Sequence, residues 1–179
     1  WVKAIDIKIG MIVQEPKISI ESSDDIDLNK LILLGVLIGD GCLHGYEIKW
    51  TCYSEGLMAY VSNNMPYNLK VKQIIPNEYR ISQIEGVKNN PYKKWLEEIG
   101  LWGKYSEEKF IPDIIFKQSN ESTGIFLMSL FSTDGSFNPN GHTIAYTSRS
   151  ERLCQDVKKL LRRLGVVSRV YTYYREGMF

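Results

Sequence analysis

Two stretches decide the fold: Leu33-Leu34-Gly35-Val36-Leu37-Ile38-Gly39-Asp40-Gly41 and Leu127-Met128-Ser129-Leu130-Phe131-Ser132-Thr133-Asp134-Gly135. Each reads as the end of an apolar helix. Small residues stand four apart in both, Gly35 and Gly39 in the first and Ser129 and Thr133 in the second. That spacing leaves one helix face with little side chain, so two backbones can approach closely. An acid then follows at the negative end of each helix dipole, an unfavourable place for a carboxylate. Two such acids brought together repel strongly unless a cation lies between them. A divalent-metal site is the economical reading. The alternative is that each Asp-Gly is simply a turn closing a core helix.

Outward from the first stretch, Asp27 is a good N-cap for a helix over residues 28–39, and Gly41 is a stop. Residues 46–53 alternate, with Tyr46, Ile48, Trp50 and Cys52 on one side and Glu47, Lys49, Thr51 and Tyr53 on the other. This predicts a half-buried strand. Ser54 caps a helix containing Leu57, Met58, Tyr60 and Val61. Strands over 69–75 and 79–84 are joined by Pro76-Asn77, and Asn90-Pro91 opens a helix that Gly100 ends. The second stretch closes a helix over 122–133, followed by a strand over 143–148. Ser150 caps a helix with Leu153, Val157, Leu160, Leu161 and Leu164 in one stripe, and Gly165 stops it. Residues 166–174 read as a strand rich in β-branched and aromatic side chains. Residues 1–20 read as short strand-like pieces, and 21–27 as a polar linker.

The same order recurs at residue level. Asp40-Gly41 matches Asp134-Gly135 at an offset of 94, and Ile48–Thr51 matches Ile144–Thr147 at 96. Ser54-Glu55, Leu57 and Val61 match Ser150-Glu151, Leu153 and Val157, also at 96. The pattern predicts an α+β fold of two pseudo-symmetric α-β-β-α-β-β-α halves. Only 45 residues follow Asp134, so the second half is expected to be truncated at its C-terminus. The expected division is an edge segment or linker over 1–20, a first half over 21–115 and a second over 116–179.

The 22 Lys+Arg and 21 Asp+Glu give a net charge of +1. Residues 1–40 carry four Lys and seven acids, whereas 141–179 carry eight Lys/Arg and three acids. The near-neutral total excludes a general nucleic-acid sponge, while the basic tail is compatible with a local phosphate-binding face or with a solvated helix face. The longest uncharged apolar run, Leu31–Ile38, is too short for a transmembrane helix of roughly 20 residues. There is no basic n-region followed by an apolar run, so no signal peptide is expected. Cys42, Cys52 and Cys154 are scattered and read as reduced thiols of a cytoplasmic protein, and with only two His a zinc site is not expected.

At residue level the chain resembles the LAGLIDADG (dodecapeptide, DOD-type) homing endonucleases in their two-motif monomeric form. Glu108-Lys109-Phe110-Ile111-Pro112 is similar to the K-x-I-P block of intein-borne members, and residues 150–170 to the block after the second motif. Asp6–Met11 resembles the end of an intein's N-terminal splicing half, which makes 1–20 a remnant of a splicing-domain edge. Gly39 and Thr133 stand where the family has Ala. The resemblance implies a monomeric, site-specific double-strand DNA endonuclease, flanked in its parent by an intein splicing domain. It implies that Asp40 and Asp134, with backbone carbonyls at Gly39 and Thr133, hold Mg²⁺ (Mn²⁺ as a substitute). Lys109 matches the catalytic lysine, whose partner would lie beyond Phe179. Strand residues Glu47, Lys49, Thr51, Lys70, Lys72 and Arg80, then Thr147, Arg149, Arg169 and Arg175, would contact duplex DNA in the major groove. With Trp1 first, Phe179 last and no T-x-x-H, the chain is not expected to splice. Alternatives are a catalytically inactive nucleic-acid binder of the same fold, of maturase or regulator type, and an interaction domain that binds neither metal nor DNA.

Overall fold

A computed structural model describes residues 2–9, 11, 25–82 and 90–173. The regular elements are α1 (Leu28–Asp40), β1 (Gly41–Cys42), β2 (Lys49–Thr51), α2 (Glu55–Asn63), β3 (Lys70–Ile75), β4 (Glu78–Ser82), α3 (Pro91–Glu98), α4 (Asp113–Phe116), α5 (Asn120–Asp134), β5 (Gly135–Asn138), β6 (Thr143–Tyr146) and α6 (Glu151–Arg163). This is an α+β architecture. One antiparallel sheet has the order β1-β2-β4-β3, and β5 and β6 form a separate antiparallel pair.

The caps explain where the helices start. Asp27 accepts from the amides of Asn29 and Lys30 at 2.9 and 3.2 Å. Ser54, Asn90, Ser119 and Ser150 do the same for α2, α3, α5 and α6, satisfying amides that have no intrahelical partner. In α1, Leu31–Ile38 are eight consecutive buried residues. A helix that is apolar all round must be wrapped on every side. It lies along α5 and shares one core with Ile48 and Trp50 of the sheet region, Val61 of α2 and Leu96 of α3.

Helices α1 and α5 lie side by side and run in the same direction. At their starts, the Asp25 carboxylate accepts from the Ser119 amide at 3.0 Å and the Ser122 hydroxyl at 3.1 Å. Further along, a Cβ added to Gly35 would stand 2.7 Å from Ser129 Cβ and 2.8 Å from the Phe126 carbonyl oxygen. One turn later, a Cβ on Gly39 would fall on the Thr133 hydroxyl. Both helices then pass directly into strands. Gly41 (φ −78°, ψ 144°) and Gly135 (φ −79°, ψ 147°) have nearly the same backbone, and their amides donate to Leu37 O and Phe131 O. Any Cβ there would collide with the backbone of Leu37 or Phe131. Glycine is required at both positions by this close approach, since neither has positive φ. The ladders match as well: Gly41 faces Trp50, and Gly135 faces Tyr146.

Several sequence expectations change in the structure. The predicted strand over 46–53 is regular only at 49–51; Ile48, Trp50 and Cys52 are buried as expected, but Tyr46 is 97% exposed. It sits in a bend whose Gly45 has φ +86°, so the alternation breaks before the strand begins. Residues 166–173 form no strand, because no other described segment offers them a ladder. The start of the chain holds a 3-10 turn over Ala4–Asp6 in place of strand pieces, and residues 12–20 lie outside the described set. The expected 79–84 strand ends at Ser82, with 83–84 also outside it. Helix α5 starts two residues earlier than expected because Ser119, and not a later serine, is its cap. The three cysteines are free thiols. Among the described residues no helix is long and apolar enough to cross a membrane.

Candidate functional site

The close approach of α1 and α5 brings their C-terminal acids together. A Cβ on Gly39 would stand 3.4 Å from an Asp134 carboxylate oxygen, so Asp134 lies against the last turn of the helix that carries Asp40. Burial pushes the Asp40 carboxyl above the ordinary carboxylate range, and the nearby Lys109 ammonium opposes the shift. Burial raises the Asp134 carboxyl too, the charge of Asp40 raises it further, and Lys109 again opposes.

Lys109 comes from the segment before α4 and is 5% exposed. Its Nζ donates to the carbonyls of Leu37 (3.2 Å), Gly39 (2.8 Å) and Gly41 (2.8 Å). These are carbonyls of the open end of α1, where a cation also meets the negative end of the helix dipole. All three ammonium donors are thereby used. Burial lowers the Lys109 pKa, while Asp134, Asp40 and Cys42 raise it. Helix α6 holds this segment in place: the Ser150 hydroxyl donates to Lys109 O at 2.6 Å, and Asp156 accepts from the Ile111 amide at 3.4 Å. Asp156 is itself braced by Lys159 at 2.9 Å and Arg152 at 3.8 Å.

The arrangement is two acids at adjacent helix ends, Asp40 exposed and Asp134 partly buried, with one fixed ammonium beside them. Residues 122–178, which include Asp134, match the model of the LAGLIDADG-like domain. The chain carries a LAGLIDADG-like domain. A replicative DNA helicase DnaB from Rhodothermus marinus is 31% identical over 189 residues, covering 96% of this chain and 20% of the helicase. The corresponding helicase from a Synechocystis species is 34% identical over 167 residues, with 83% and 19% covered. A DNA polymerase from a Thermococcus species is 34% identical over 151 residues, with 78% and 9% covered. The chain thus spans about a fifth or less of the length of these relatives.

Oxygen donors of the kind found at the two helix ends are those a hard divalent cation takes. Burial raises both carboxyls, the charge of Asp40 adds to the shift at Asp134 alone, and Lys109 offsets neither fully. Among the described residues no group of three or more His, Cys, Asp or Glu is gathered. Asp40, Asp134 and backbone carbonyls are the oxygen donors that the described residues gather at these helix ends. Of those carbonyls, Gly39 O already accepts from Lys109.

Of the candidate DNA-contacting residues, one group is brought together. Lys49 faces Arg80 across β2 and β4, and Arg80 faces Lys72 across β4 and β3. Lys70, opposite Ser82, and Thr51, opposite Glu78, share that face by the alternation of the strands. Glu47 pairs with Arg80 at 2.5 Å and with Lys49 at 3.7 Å. The second group is not united by any ladder. Thr147 and Arg149 follow β6, Arg169 lies in the irregular segment after α6, all three are exposed, and Arg175 lies outside the described residues.

Two residues at the site were missed by sequence reasoning. Ser150 reads only as a helix cap, yet its hydroxyl also fixes Lys109. Tyr146 reads as a core residue matched to Trp50. Its ring does pack on Phe131 at 5.3 Å, but its hydroxyl lies close enough to Asp134 that burial and that charge push the phenol pKa up. No sequence signal shows this, since it is the strand register that sets Tyr146 opposite the glycine after Asp134.

Proposed function

We propose that this chain is the endonuclease portion of an intein, a site-specific enzyme that cuts both strands of duplex DNA with a divalent metal. The observation that carries the reading is the meeting of Asp40 and Asp134 at the ends of α1 and α5, beside the buried Lys109 ammonium. The match of the chain to a minor share of helicases and polymerases from distant organisms supports an inserted element. In this reading the chain is two pseudo-symmetric halves, 21–115 and 116–179, after a 1–20 remnant. The shared order α-β-β-α from α1 and from α5, and the matched registers at Gly41 and Gly135, support it. Two active-site acids on one chain support a monomer, and the reading takes it to act in the cytoplasm.

The residues divide the work. Asp40 and Asp134 would hold Mg²⁺, or Mn²⁺ in its place, with backbone oxygens near Gly39 and Thr133 as further candidates. When bound, the metal supplies Lewis-acid and charge stabilisation at the scissile phosphate. Lys109 acts as a fixed positive charge and not as a proton carrier, because its three donors are committed to carbonyls. It keeps the end of α1 in place and offsets negative charge as a phosphate enters. Gly35, Gly39, Ser129 and Thr133 set the helix spacing and so the distance between the acids. The polar faces of the strands would contact DNA from the major groove. The same commitment of Lys109 also suits a second reading, a non-cleaving nucleic-acid binder with a purely structural lysine.

The deciding experiment incubates the chain with the uninterrupted helicase gene as supercoiled and linear DNA, with Mg²⁺ or with EDTA. Mg²⁺-dependent double-strand cleavage at one site is expected. Binding without cleavage would favour the second reading, and neither binding nor cleavage would defeat both.

A further inference from the structure

The row Lys49–Arg80–Lys72 runs straight across three strands, and an acid stands in it. Glu47 Oε1 is 2.5 Å from Arg80 Nη1, and Oε2 is 3.7 Å from Lys49 Nζ. The side chains involved are 33–41% exposed. A pair with that much solvent contributes little to stability. On a surface meant only for phosphates, Glu47 would be a liability, since it cancels one of the row's charges. Its position at the central cation gives the arginine direction instead. A planar guanidinium with Nη1 held by a carboxylate has its Nη2 and Nε N–H groups left to donate in the same plane.

We propose that the Glu47–Arg80 pair is a specificity element that reads one G·C base pair, Arg80 donating to guanine and Glu47 accepting from cytosine. This rests on the DNA-binding reading above. In the major groove, guanine offers the O6 and N7 acceptors that arginine pairs with, and the partner cytosine offers its N4 donor to a carboxylate. A linked arginine and glutamate meet the two halves of one base pair, and the pairing keeps Arg80 from being spent on a phosphate. Lys49 and Lys72, at the ends of the row, are left for the backbone.

The test passes a pool of randomised duplexes over wild type, Glu47→Gln, Arg80→Gln and Lys72→Gln, and sequences the bound fraction. Salt dependence is measured for each on an unrelated duplex. Wild type is expected to select at least one strongly preferred G·C position. Glu47→Gln and Arg80→Gln should each weaken that preference about tenfold or more at the same position. Glu47→Gln should also tighten binding to unrelated duplex and steepen its salt slope by roughly one, as the freed arginine takes a phosphate. Lys72→Gln should leave base preference intact and flatten the slope by roughly one. The proposal is overturned if Glu47→Gln keeps the wild-type preference, or if the two substitutions act at different positions. A wild type that binds duplex without any preference overturns this proposal and leaves the DNA reading standing. A wild type that binds no duplex overturns both. Because these side chains are surface residues, an unchanged melting temperature in each variant secures the comparison.

Discussion

The end of α1 and the end of α5 can be laid side by side. Each has an acid, then a glycine with the same backbone, then a strand pairing that glycine with an aromatic residue. At α1 the carbonyls of Leu37, Gly39 and Gly41 receive the Lys109 ammonium, and Ser150 of α6 secures the segment that carries it. At α5, no described side chain donates to the corresponding carbonyls of Phe131, Thr133 and Gly135. Ser54 and Leu57, the counterparts of Ser150 and Leu153, instead line an open cleft of about 440 Å³ with Tyr60, Met128, Ser129 and Ser132. One ammonium therefore serves two acids. Two carboxylates and one ammonium leave one negative charge uncompensated, and burial, the largest cause at both acids, keeps the carboxyls raised although Lys109 opposes it.

The largest expected effect tests whether the two ends are equivalent in chemistry despite this difference. Asp40→Asn and Asp134→Asn should each lower double-strand cleavage on the order of a thousandfold, the several kcal/mol a metal contributes to a phosphoryl transition state. DNA affinity should stay nearly unchanged, as measured by gel shift in Ca²⁺ alongside cleavage assays in Mg²⁺. If one substitution abolishes cleavage of both strands while the other leaves it intact, the acids are not a pair.

Lys109 is where the ends differ most, so its removal should separate them. Lys109→Met leaves three carbonyls without their donor and two acids without their cation. A cost of about 1–3 kcal/mol is expected, the usual penalty for stranded buried polar groups. Combining it with Asp40→Asn should cost less than the sum, since the double variant no longer buries an uncompensated carboxylate there. Thermal melts of the four-member cycle measure this coupling. Strict additivity would show that Lys109 supports α1 through its carbonyls alone.

Between the ends lies the helix contact itself. Gly35→Leu should cost ~1–3 kcal/mol through overpacking, because even a methyl group there meets Ser129 Cβ and Phe126 O. Gly35→Ala should be milder. Ser129→Gly in the same chain should recover part of that loss, but not the part due to the Phe126 backbone. A melting temperature unmoved by Gly35→Leu would mean that the helices do not touch at this point in solution.

Much of this was legible in the sequence, and the reasons are local. Asp27, Ser54, Asn90 and Ser150 announce helix starts because capping depends only on neighbouring residues. The small residues at 35, 39, 129 and 133 announce the helix contact because only small side chains permit it. Lys109 was legible as a residue of interest through its resemblance to a family motif, but its partners were not. They lie about 70 residues earlier in the chain, and no spacing rule connects them. The Glu47–Arg80 pair was hidden for the same reason, since strand register decides which charges meet. The strand expected over 166–174 is absent over its described residues, 166–173, because β-propensity describes how a segment fits a sheet and cannot supply the neighbour it needs.

The smallest effect concerns stability against pH in the absence of divalent ions. Burial raises the carboxyls of Asp40 and Asp134 in the folded chain above their value of 3.8 in the unfolded one. The folded state then binds protons more tightly than the unfolded state. Its stability is full below the unfolded value and declines as pH rises through the raised folded values. At neutral pH both ionised carboxylates are therefore a net cost to folding. Asp40→Asn removes one of them and relieves Asp134 of a like charge. In EDTA at about pH 7 it should raise Tm slightly, by roughly 1–3 °C, because Asp40 is exposed enough for solvent to screen the repulsion. The gain should disappear near pH 3, where the wild-type carboxyls are already protonated. Added Mg²⁺ should reverse the order, raising Tm of the wild type more than that of the variant, since only the wild type keeps both ligands. A variant that melts below wild type in EDTA at neutral pH would show that attraction to Lys109 outweighs the burial penalty on Asp40. Lys109 would then neutralise the end of α1, leaving Asp134 as the one uncompensated carboxylate for a metal to meet.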